Sequence, residues 1–544
     1  MSQHSRLCGS IAWLAACLTL TAASVCAQRI APAEPADFTS RLAADRAHRE
    51  LLSRSLGRGL AWRSVGPIVQ GGRIVDIESV PGSPKSLLAA YASGGLWRSD
   101  NAGQSFRPIF DAEPTLIMGD IGVDPQNPER IWVGTGENNA SRSSYGGLGV
   151  FRSDDGGKTF QHMGLGDTDR IGRIIVDPRD GDRVLVAASG SLYTTRGDRG
   201  VFLTEDGGKT WNVVIAGDGM AGAIDLALAP GDPDTVYAAT WDRSRRPWNF
   251  VESGVGSAIW KSIDGGRNWK RIEGGFPQGS DIGRIGLATS PAAPDTIYAC
   301  VDHQGPLEDD RRPPDDSVLS PRRVRAMTVE EFLSYDPRDI DAFLRGNDFH
   351  EDLDAEALIG GLESGEITLT ALLDDIQDGN AALFDVDIRG LEVWRSDDRG
   401  DSWRRTHDEP LEGVTFSYGY YFGQIRVAPD DVDRVWTMGV PLIASEDGGK
   451  TWRNILGAGV HVDNHALWID PADSKHLILG NDGGLDETYD AGENWRSIDA
   501  QAVGQFYTVE LDDAKPFNII GGLQDNGTLK GSSRADRDDG PSWS

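Results

Sequence analysis

The stretch TEDGGKTW at residues 204–211 decides the fold, because its pattern returns along the whole chain. The pattern is Ser or Thr, any residue, Asp, any residue, Gly, two further residues, and then Trp or Phe. The other copies are SDNAGQSF (99–106), SDDGGKTF (153–160), SIDGGRNW (262–269), SDDRGDSW (396–403), SEDGGKTW (445–452) and TYDAGENW (488–495). A unit that repeats roughly every fifty residues is typical of solenoids and propellers.

Each residue type in this pattern suits a tight hairpin. An Asp carboxylate accepts backbone N–H groups across a turn, and Gly adopts the positive φ that hairpin turns require. The final aromatic residue can pack between neighbouring sheets. We therefore predict a structural role at hairpins for the Asp of each copy. These residues are Asp155, Asp206, Asp264, Asp398, Asp447 and Asp490, with Asn101 in their place in the first copy.

A second element alternates with the first and completes a four-stranded unit. VDPRDGDRVLVA (176–187) and LAPGDPDTVYAA (228–239) each contain a strand end, a turn with Pro and Asp, and a β-branched strand. Four strands per repeat predict the blade of a β-propeller. The expected fold is all-β over residues 60–544, with seven recognisable blades and an incomplete eighth that starts at Phe506. Either LAWRSVG (60–66) supplies the outer strand of the last blade, or the chain is a truncated form of a longer protein.

Residues 303–388 interrupt the repeats and carry helical signals instead. Thr328 and Glu331 form a capping-box pattern, and Asp336-Pro337 is a typical pair at a helix start. The segment is acidic and falls between the second and third strands of its blade. We predict a helical insert on the face where those strands are joined, acting either as a decorating subdomain or as a lid.

The first residues predict export. Residues 1–27 combine Arg6, an apolar stretch and small residues before a cleavage point after Ala27, which is the pattern of a signal peptide. Lipid attachment at Cys26 is the alternative. Residues 28–59 are expected to form a helical or linker segment. The protein is thus predicted to be secreted or periplasmic, and no later segment is apolar for long enough to cross a membrane.

Charge and cysteine content restrict the partners. The formal net charge is −31, which disfavours binding to nucleic acid or to anionic membranes. Cys300 is the only cysteine after the signal peptide, so the mature chain has no internal disulfide. The expected partner is a peptide, a protein or a glycan, and the sequence does not indicate an oligomeric state.

A ring of polar residues marks the face opposite the repeated hairpins. The aligned starts of the inner strands carry Arg73, Asp120, Arg173, Asp225, Arg284, Gln424, His465 and Gln505. The three arginines can hold a carboxylate or phosphate, or they can pair with the two aspartates in a structural ion network. Trp241 and Tyr420 add loop aromatics that suit a sugar or a peptide. The candidate ligand-binding residues are Arg73, Arg173, Arg284, Gln424, Trp241 and Tyr420.

One cluster has the residue types of a metal site. His461, Asp463 and His465 alternate along the chain, and residues two apart share one face of an extended strand. Two imidazoles and a carboxylate are common ligands of a divalent metal, and Asp482 could join them. The alternative is a hydrogen-bonded polar cluster without metal. A divalent metal is the only cofactor that the sequence suggests.

Several stretches resemble a known family. They include WRSVGPIVQGGRIVDI (62–77), GTGENNASRSS (134–144), VHVDNHALWIDP (460–471) and GNDGGLDETYDAGENW (480–495). The chain resembles bacterial secreted BNR-repeat, or Asp-box, proteins that are similar to the sortilin N-terminal domain and often labelled glycosyl hydrolases. The resemblance covers nearly all of residues 60–530 except the helical insert. It implies a propeller and a chain that continues beyond this one.

Two functions remain open. The first is a non-catalytic propeller of the cell envelope that binds a peptide or glycan at the loop face. The second is a glycoside hydrolase, sialidase-like or xyloglucanase-like, which needs two carboxyl groups flanking the scissile bond. The candidate catalytic residues are Asp120, Glu137, Asp225 and Asp482. Two carboxyl groups across an open pocket would favour hydrolysis, whereas a plugged channel or fully paired arginines would favour binding.

Overall fold

The computed structural model divides into two compact units, Met1–Leu60 and Ala61–Ser544. It describes residues 37–60, 63–69, 71–141, 144–246, 249–307, 319, 324, 327–346, 353–365, 367–369, 371–372, 388–534 and 543. The predicted signal peptide and its cleavage point lie outside these residues. In the first unit, helix α1 (Phe38–Arg54) begins after Asp37, whose side chain accepts the backbone N–H of Ser40. None of the α1 residues is buried.

The described part of the second unit contains seven four-stranded antiparallel sheets. The first three sheets comprise β1 (Ile74–Val80), β2 (Ser83–Tyr91), β3 (Gly95–Ser99), β4 (Arg107–Pro108), β5 (Met118–Val123), β6 (Ile131–Thr135), β7 (Val150–Ser153), β8 (Gln161–His162), β9 (Ile171–Asp177), β10 (Asp180–Ala188), β11 (Gly200–Thr204) and β12 (Asn212–Ala216). A short 3₁₀ helix, Gly166–Thr168, precedes β9.

The fourth sheet carries a small hairpin between its second and third strands. Its strands are β13 (Gly222–Ala229), β14 (Asp232–Trp241), β17 (Ala258–Ser262) and β18 (Lys270–Arg271), and the hairpin is β15 (Ser244–Arg246) and β16 (Asn249–Val251). The remaining three sheets comprise β19 (Ile282–Thr289), β20 (Ile297–Pro306), β21 (Ile388–Ser396), β22 (Arg404–Arg405), β23 (Gln424–Val427), β24 (Val435–Met438), β25 (Leu442–Ser445), β26 (Arg453–Asn454), β27 (Asn464–Asp470), β28 (Asp473–Asn481), β29 (Gly484–Thr488) and β30 (Arg496–Ser497).

The first strands of the seven sheets form a closed ring. Each first strand lies against the first strand of the next sheet, and β27 of the seventh lies against β1 of the first. The N–H of Gly71, just before β1, also donates to the carbonyl of Gly483 in the seventh blade at 2.7 Å. This arrangement confirms the predicted all-β propeller, and the ring closes with seven blades.

The eighth unit is a three-stranded sheet that does not enter this ring, because β27 already lies against β1. It consists of β31 (Phe506–Leu511), β32 (Asn518–Leu523) and β33 (Thr528–Ser532). One alternative from the sequence was that residues 60–66 supply the outer strand of the last blade. It is wrong for residues 63–66, the part of this segment next to β1 that the structure describes. Arg63 donates to the Ser533 carbonyl, and the Val65 carbonyl accepts the Trp543 indole N–H at 2.5 Å instead of joining a strand ladder.

The repeated hairpins are held by their own side chains. In the third copy, Oδ1 of Asp206 accepts the backbone N–H groups of Lys209 and Thr210 at 3.0 and 2.9 Å, and Oδ2 accepts the Thr210 hydroxyl at 2.7 Å. Gly208 sits at φ +85°, where a side chain would be strained. In the first copy, Oδ1 of Asn101 accepts the Ser105 N–H at 3.0 Å. The turn therefore needs an acceptor oxygen rather than a charge.

Aromatic residues at the ends of these hairpins join neighbouring blades. The Trp211 indole N–H donates to the Met163 carbonyl of the preceding blade at 2.7 Å, and its ring meets that of Trp132 edge-on. Apolar strand residues fill the space between the sheets. The core between the second and third blades includes Trp132, Val150, Ile171, Ile174, Val176, Val184, Val186, Ala188 and Phe202.

The predicted insert contains helices α2 (Val329–Phe332), α3 (Pro337–Gly346) and α4 (Ala355–Ser364). The capping box of Thr328 and Glu331 is present at the start of α2. The insert begins later than the predicted residue 303, because β20 continues to Pro306 and pairs there with Ile388. The insert has its own apolar core, formed by Leu319, Val324, Phe332, Ile340, Phe343, Leu344, Ala355, Leu358, Leu362, Leu369 and Leu372. Within the described ranges, no helix is long and apolar enough to cross a membrane.

Candidate functional site

Loops from different blades meet over the channel at the face where the inner strands begin. The N–H of Ala140, in the loop between β6 and β7, donates to the carbonyl of Tyr420, which precedes β23. Arg245 of β15 donates to the Ala140 carbonyl at 2.9 Å, and its guanidinium lies over the Phe250 ring. These contacts bring loops of the second, fourth and sixth blades together at this face.

Arg173 is the centre of a buried ion network inside the channel. Its Nη1 lies 3.0 Å from Asp120 Oδ1, and its Nε lies 2.9 Å from Asp225 Oδ1. The second oxygens of these aspartates accept backbone N–H groups of the following blades, from Ile174 and Leu287. Burial opposes the charge of Arg173, but the two carboxylates outweigh it and raise the pKa of the guanidinium. Each aspartate thereby fastens one blade to the next.

Gln424 and Arg284 are also engaged. Gln424 Oε1 accepts from Arg173 at 3.4 Å and from Arg426 at 2.7 Å. Arg284 donates to the side-chain carbonyls of Asn139 at 2.7 Å and Asn138 at 3.4 Å. Burial lowers the pKa of Arg284 to about 10. The alternative of an ion and hydrogen-bond network, rather than three free arginines, fits this geometry.

The two candidate aromatics do not form an open platform. Trp241 is the last residue of β14 and is fully buried in the core between the fourth and fifth blades, with its indole N–H bonded to the Glu252 carbonyl at 2.7 Å. The interpretation of Trp241 as a loop aromatic is therefore wrong, because β14 extends further than the turn signals indicate. Tyr420 packs edge-on against Phe250, with ring centroids 4.6 Å apart.

Arg73 connects the second blade with the seventh. Its Nε lies 2.9 Å from Glu137 Oε1, and its Nη1 lies 3.9 Å from Asp482 Oδ2. Nη1 also donates to the Tyr421 hydroxyl, which in turn donates to Asp482 Oδ2 at 3.4 Å. Arg73, Glu137 and Asp482 are all at most 3% exposed. We name the group formed by Arg73, Tyr421, Asp463, His465, Asp482 and Asp525 the Asp482 cluster.

Asp482 is the ionised member of this cluster. His465 Nε2 lies 2.8 Å from Asp482 Oδ1, and the His465 ring stacks on Phe422 with centroids 5.2 Å apart. Burial opposes the charge of Asp482, but His465 and Arg73 outweigh it and lower the pKa of the carboxyl. The Asp482 carbonyl accepts the side-chain N–H of Asn526 at 2.9 Å, which brings the turn after β32 to the cluster.

Two further carboxyl groups bring the cluster to the surface. Asp463 is half-buried and its carbonyl accepts the Asp482 N–H at 3.1 Å, whereas Asp525 is exposed. Burial, followed by the negative charge of Asp482, raises the pKa of Asp463 to about 6. The same two causes raise the pKa of Asp525. Carboxyl groups with raised and with lowered pKa values therefore belong to the same cluster.

The expected alternation of His461, Asp463 and His465 is wrong. Strand β27 begins only at Asn464, and Asp463 has a φ of +66°, so the chain turns before the strand starts. His461 instead contacts the carbonyls of Val462 and Asp525 through its two ring nitrogens. Among the described residues, no three His, Cys, Asp or Glu side chains are grouped to hold a metal ion.

The four candidate catalytic carboxylates occupy two different environments. Asp120 and Asp225 flank Arg173 inside the channel, and Glu137 is completely buried against Arg73. Asp482 is the only one of the four candidates that interacts with the partly exposed carboxyl groups of Asp463 and Asp525. Sequence reasoning missed Asp525 and Tyr421 as partners of Asp482, although the QDNG turn at 524–527 carried a signal for a polar loop.

No family model matches the chain. Over 217 residues, which are 38% of this chain, it is 26% identical to an oligoxyloglucan-reducing end-specific xyloglucanase of Emericella nidulans, of which the match covers 24%. Over 249 residues, 41% of this chain, it is 24% identical to a xyloglucanase of Paenibacillus sp, of which the match covers 23%. The match thus spans about a quarter of the length of these curated relatives.

Solved structures with a similar fold include two GH74 proteins. The GH74 enzyme of Niastella koreensis superposes with a TM-score of 0.52 at 16% identity, covering 86% of this chain and 60% of that one. The GH74 xyloglucanase of Xanthomonas campestris gives a TM-score of 0.53 at 16% identity, covering 89% and 68%. At this identity the similarity establishes the propeller fold.

Proposed function

We propose that the protein is a glycoside hydrolase of the xyloglucanase type, which cleaves a neutral glucan at the Asp482 cluster. The observation that carries the proposal is that Asp482, whose pKa is lowered, interacts electrostatically with the half-buried Asp463, whose pKa is raised to about 6. Carboxyl groups whose environments drive their pKa values apart are the usual acid and base of hydrolytic sites. The names of the curated relatives support the same class.

The chemistry assigns one role to each carboxyl group. Asp463 donates its proton to the glycosidic oxygen of the leaving sugar, because its raised pKa keeps it protonated in mildly acidic solution. Asp482 accepts a proton from the attacking water or stabilises the positive charge on the sugar ring. His465 and Arg73 position Asp482 and keep it ionised without touching the substrate.

A neutral substrate fits better than an acidic sugar. The sialidase-like alternative required Arg73, Arg173 and Arg284 to be available for a carboxylate. All three guanidinium groups are at least 85% buried and bonded to protein acceptors. Displacing these buried pairs would leave uncompensated charges in the channel. We therefore propose an uncharged glucan as the substrate.

The test is the release of reducing ends from xyloglucan and its oligosaccharides. We expect Asp463→Asn and Asp482→Asn each to lower kcat by roughly 10²- to 10⁴-fold, the usual contribution of an acid or base. Asp513→Asn is the matched control, because Asp513 lies on the exposed turn between β31 and β32. Absence of turnover by the unmodified protein from pH 4 to 7 would refute the proposal, as would full activity of Asp463→Asn.

One observation favours a second candidate, a glycan-binding protein without turnover. Loops of the second and sixth blades meet at Ala140 and Tyr420, and the ring arginines are engaged with protein groups. Calorimetry with the same oligosaccharides separates the two functions. Binding by the unmodified protein without release of sugar, unaffected by Asp463→Asn, would support the second candidate.

We also propose that the protein acts outside the cytoplasm. The proposal rests on the signal-peptide pattern of residues 1–27 and suits a polysaccharide substrate that does not enter cells. N-terminal sequencing of the protein recovered from culture medium or periplasm should start at Gln28. A protein that is found in the cytoplasm with residues 1–27 attached would contradict this proposal.

A further inference from the structure

We propose that a pocket beside Arg73 is a binding subsite for one uncharged sugar ring. The pocket is a cleft of about 60 Å³, open to solvent, between the first blade and the segment that precedes β31. A cleft of this size takes one edge of a sugar ring with its hydroxyl groups, while the rest of the ring stays in solvent. Its lining includes Gly71, Tyr91, Ser93, Gly94, Val503 and Gln505.

The Tyr91 hydroxyl is the observation that points to a ligand. Tyr91 ends β2, is 1% exposed, and its hydroxyl has no hydrogen-bond partner among the described residues. Its ring is fixed edge-on against Trp97, with centroids 6.5 Å apart. Buried hydroxyl groups are nearly always bonded, so an unpartnered one in the wall of a pocket indicates a missing acceptor or donor.

Glycine backbone keeps the pocket open around this hydroxyl. A Cβ on Gly71 would lie 3.3 Å from the Tyr91 hydroxyl oxygen and would occupy the space in front of it. A Cβ on Gly94 would lie 2.8 Å from Val503 Cγ1 and 2.9 Å from Tyr91 Cβ. A side chain at either position would therefore narrow the pocket or push its walls apart.

The lining determines the chemical class of the ligand. The polar side chains of Tyr91, Ser93 and Gln505 are neutral and can each donate and accept hydrogen bonds. Burial raises the pKa of Tyr91, so its hydroxyl keeps its proton. The charge of Arg73 is already matched by Glu137. Neutral donors and acceptors without a free charge fit the hydroxyl groups of a sugar rather than an acid or an amine.

The pocket is continuous with the Asp482 cluster. Gly71 donates to the carbonyl of Gly483, the residue after Asp482, at 2.7 Å. Arg73 lines the pocket and contacts Asp482 at 3.9 Å. A sugar held against Tyr91 would therefore share Arg73 with the proposed catalytic site. The identity of the ligand rests on the proposed function, but binding at this pocket can be measured without any turnover.

The experiment compares Tyr91→Phe and Gly71→Ala with Tyr237→Phe as the control. Tyr237 is equally buried, but its hydroxyl donates to the Arg399 carbonyl in the neighbouring blade. The probes are glucose, xylose and cellobiose, titrated by calorimetry into protein that carries Asp463→Asn. We expect Tyr91→Phe to weaken binding of at least one probe roughly 2- to 12-fold, the contribution of a neutral hydrogen bond. Gly71→Ala should abolish binding of that probe, and Tyr237→Phe should leave it unchanged.

Thermal unfolding separates a binding role from a structural one. Because the Tyr91 hydroxyl has no partner in the part of the chain that the structure describes, Tyr91→Phe should keep or raise the Tm, whereas Tyr237→Phe should lower it. Unchanged probe binding in Tyr91→Phe, or no binding of any probe to the unmodified protein, would overturn the inference and leave a pocket that holds water only. Absence of hydrolysis would not by itself overturn the inference. If a probe binds in a Tyr91-dependent way but no xyloglucan is cleaved, only the proposed function is refuted.

Discussion

His465 and Asp482 form a buried pair at the start of the seventh blade, with 2.8 Å between Nε2 and Oδ1. This pair, with Arg73, keeps Asp482 ionised although the residue is buried. The charge of Asp482 then adds to burial in raising the pKa of Asp463 to about 6. The pKa of the surface carboxyl is therefore raised by its burial and by the charge of Asp482, while His465 opposes the shift.

The rate of hydrolysis should depend on the protonation of Asp463. Only the protonated carboxyl can donate to the leaving oxygen, so activity should be full below pH 6 and should fall about tenfold per pH unit above it. The measurement is kcat on xyloglucan oligosaccharides from pH 4 to 9. In Asp482→Asn the repulsion is removed, so the pKa of Asp463, followed by NMR of labelled carboxyl carbons, should fall below 6. An unchanged value would show that the two groups do not interact.

Removing the central guanidinium of the channel should destabilise the whole ring. Arg173→Met leaves Asp120 and Asp225 as buried charges without a partner, which typically costs about 3–5 kcal/mol. Urea unfolding measures the change in the free energy of unfolding. Arg246→Met is the control, because Arg246 is exposed on β15, and it should change stability by less than about 0.5 kcal/mol. Equal stabilities of the two variants would contradict the network.

The hairpin carboxylates should make the protein sensitive to acid. Hydrogen bonds from Thr210, Thr204 and Lys209 lower the pKa of Asp206 to about 2. A lowered pKa contributes stability that is present above the unfolded pKa near 4 and is lost as the pH falls towards 2. Asp206→Asn keeps the acceptor oxygen, as Asn101 does, so its Tm should fall less between pH 5 and 2 than that of the unmodified protein. Parallel Tm curves would contradict this role.

A histidine on the outer part of the seventh blade should give the opposite pH dependence. His476 lies between Asp470 and Glu487, at 3.0 and 2.9 Å, and these carboxylates outweigh burial and raise its pKa. A raised pKa contributes stability that is full below the unfolded value near 6.5 and is lost as the pH rises through the folded value. His476→Gln should therefore lower Tm more at pH 5.5 than at pH 9. A loss of the same size at both pH values would show that the charge of His476 does not contribute.

The fold was predictable because its signals are local. A hairpin such as 204–211 specifies its own turn through Asp206 and Gly208, and seven such turns predict seven blades. The closure of the ring was not predictable in the same way. It depends on contacts between β1 and β27, which are distant in sequence and carry no turn signal.

The site was predictable only in part, because its geometry depends on long-range contacts. The starts of the inner strands correctly indicated that Arg173, Asp120 and Asp225 come together. Strand alternation failed at Asp463, because β27 begins only at Asn464 and Asp463 has a positive φ that an extended strand does not adopt. The approach of the turn at Asp525 to Asp482 joins the eighth unit to the seventh blade, and no local pattern encodes such a contact.

The closed ring has a consequence for how the chain folds. Each of the seven blades is built from strands that follow one another in sequence, and the seam between β1 and β27 is where the two ends of the ring meet. Contacts between residues close in sequence form quickly. A contact between distant segments forms more slowly, because closing the long loop between them costs conformational entropy. We therefore expect blades to assemble in succession during synthesis, with the meeting of the first and last as the slow, final event. Hydrogen exchange during refolding should show that the backbone amides of β1 and β27 become protected last.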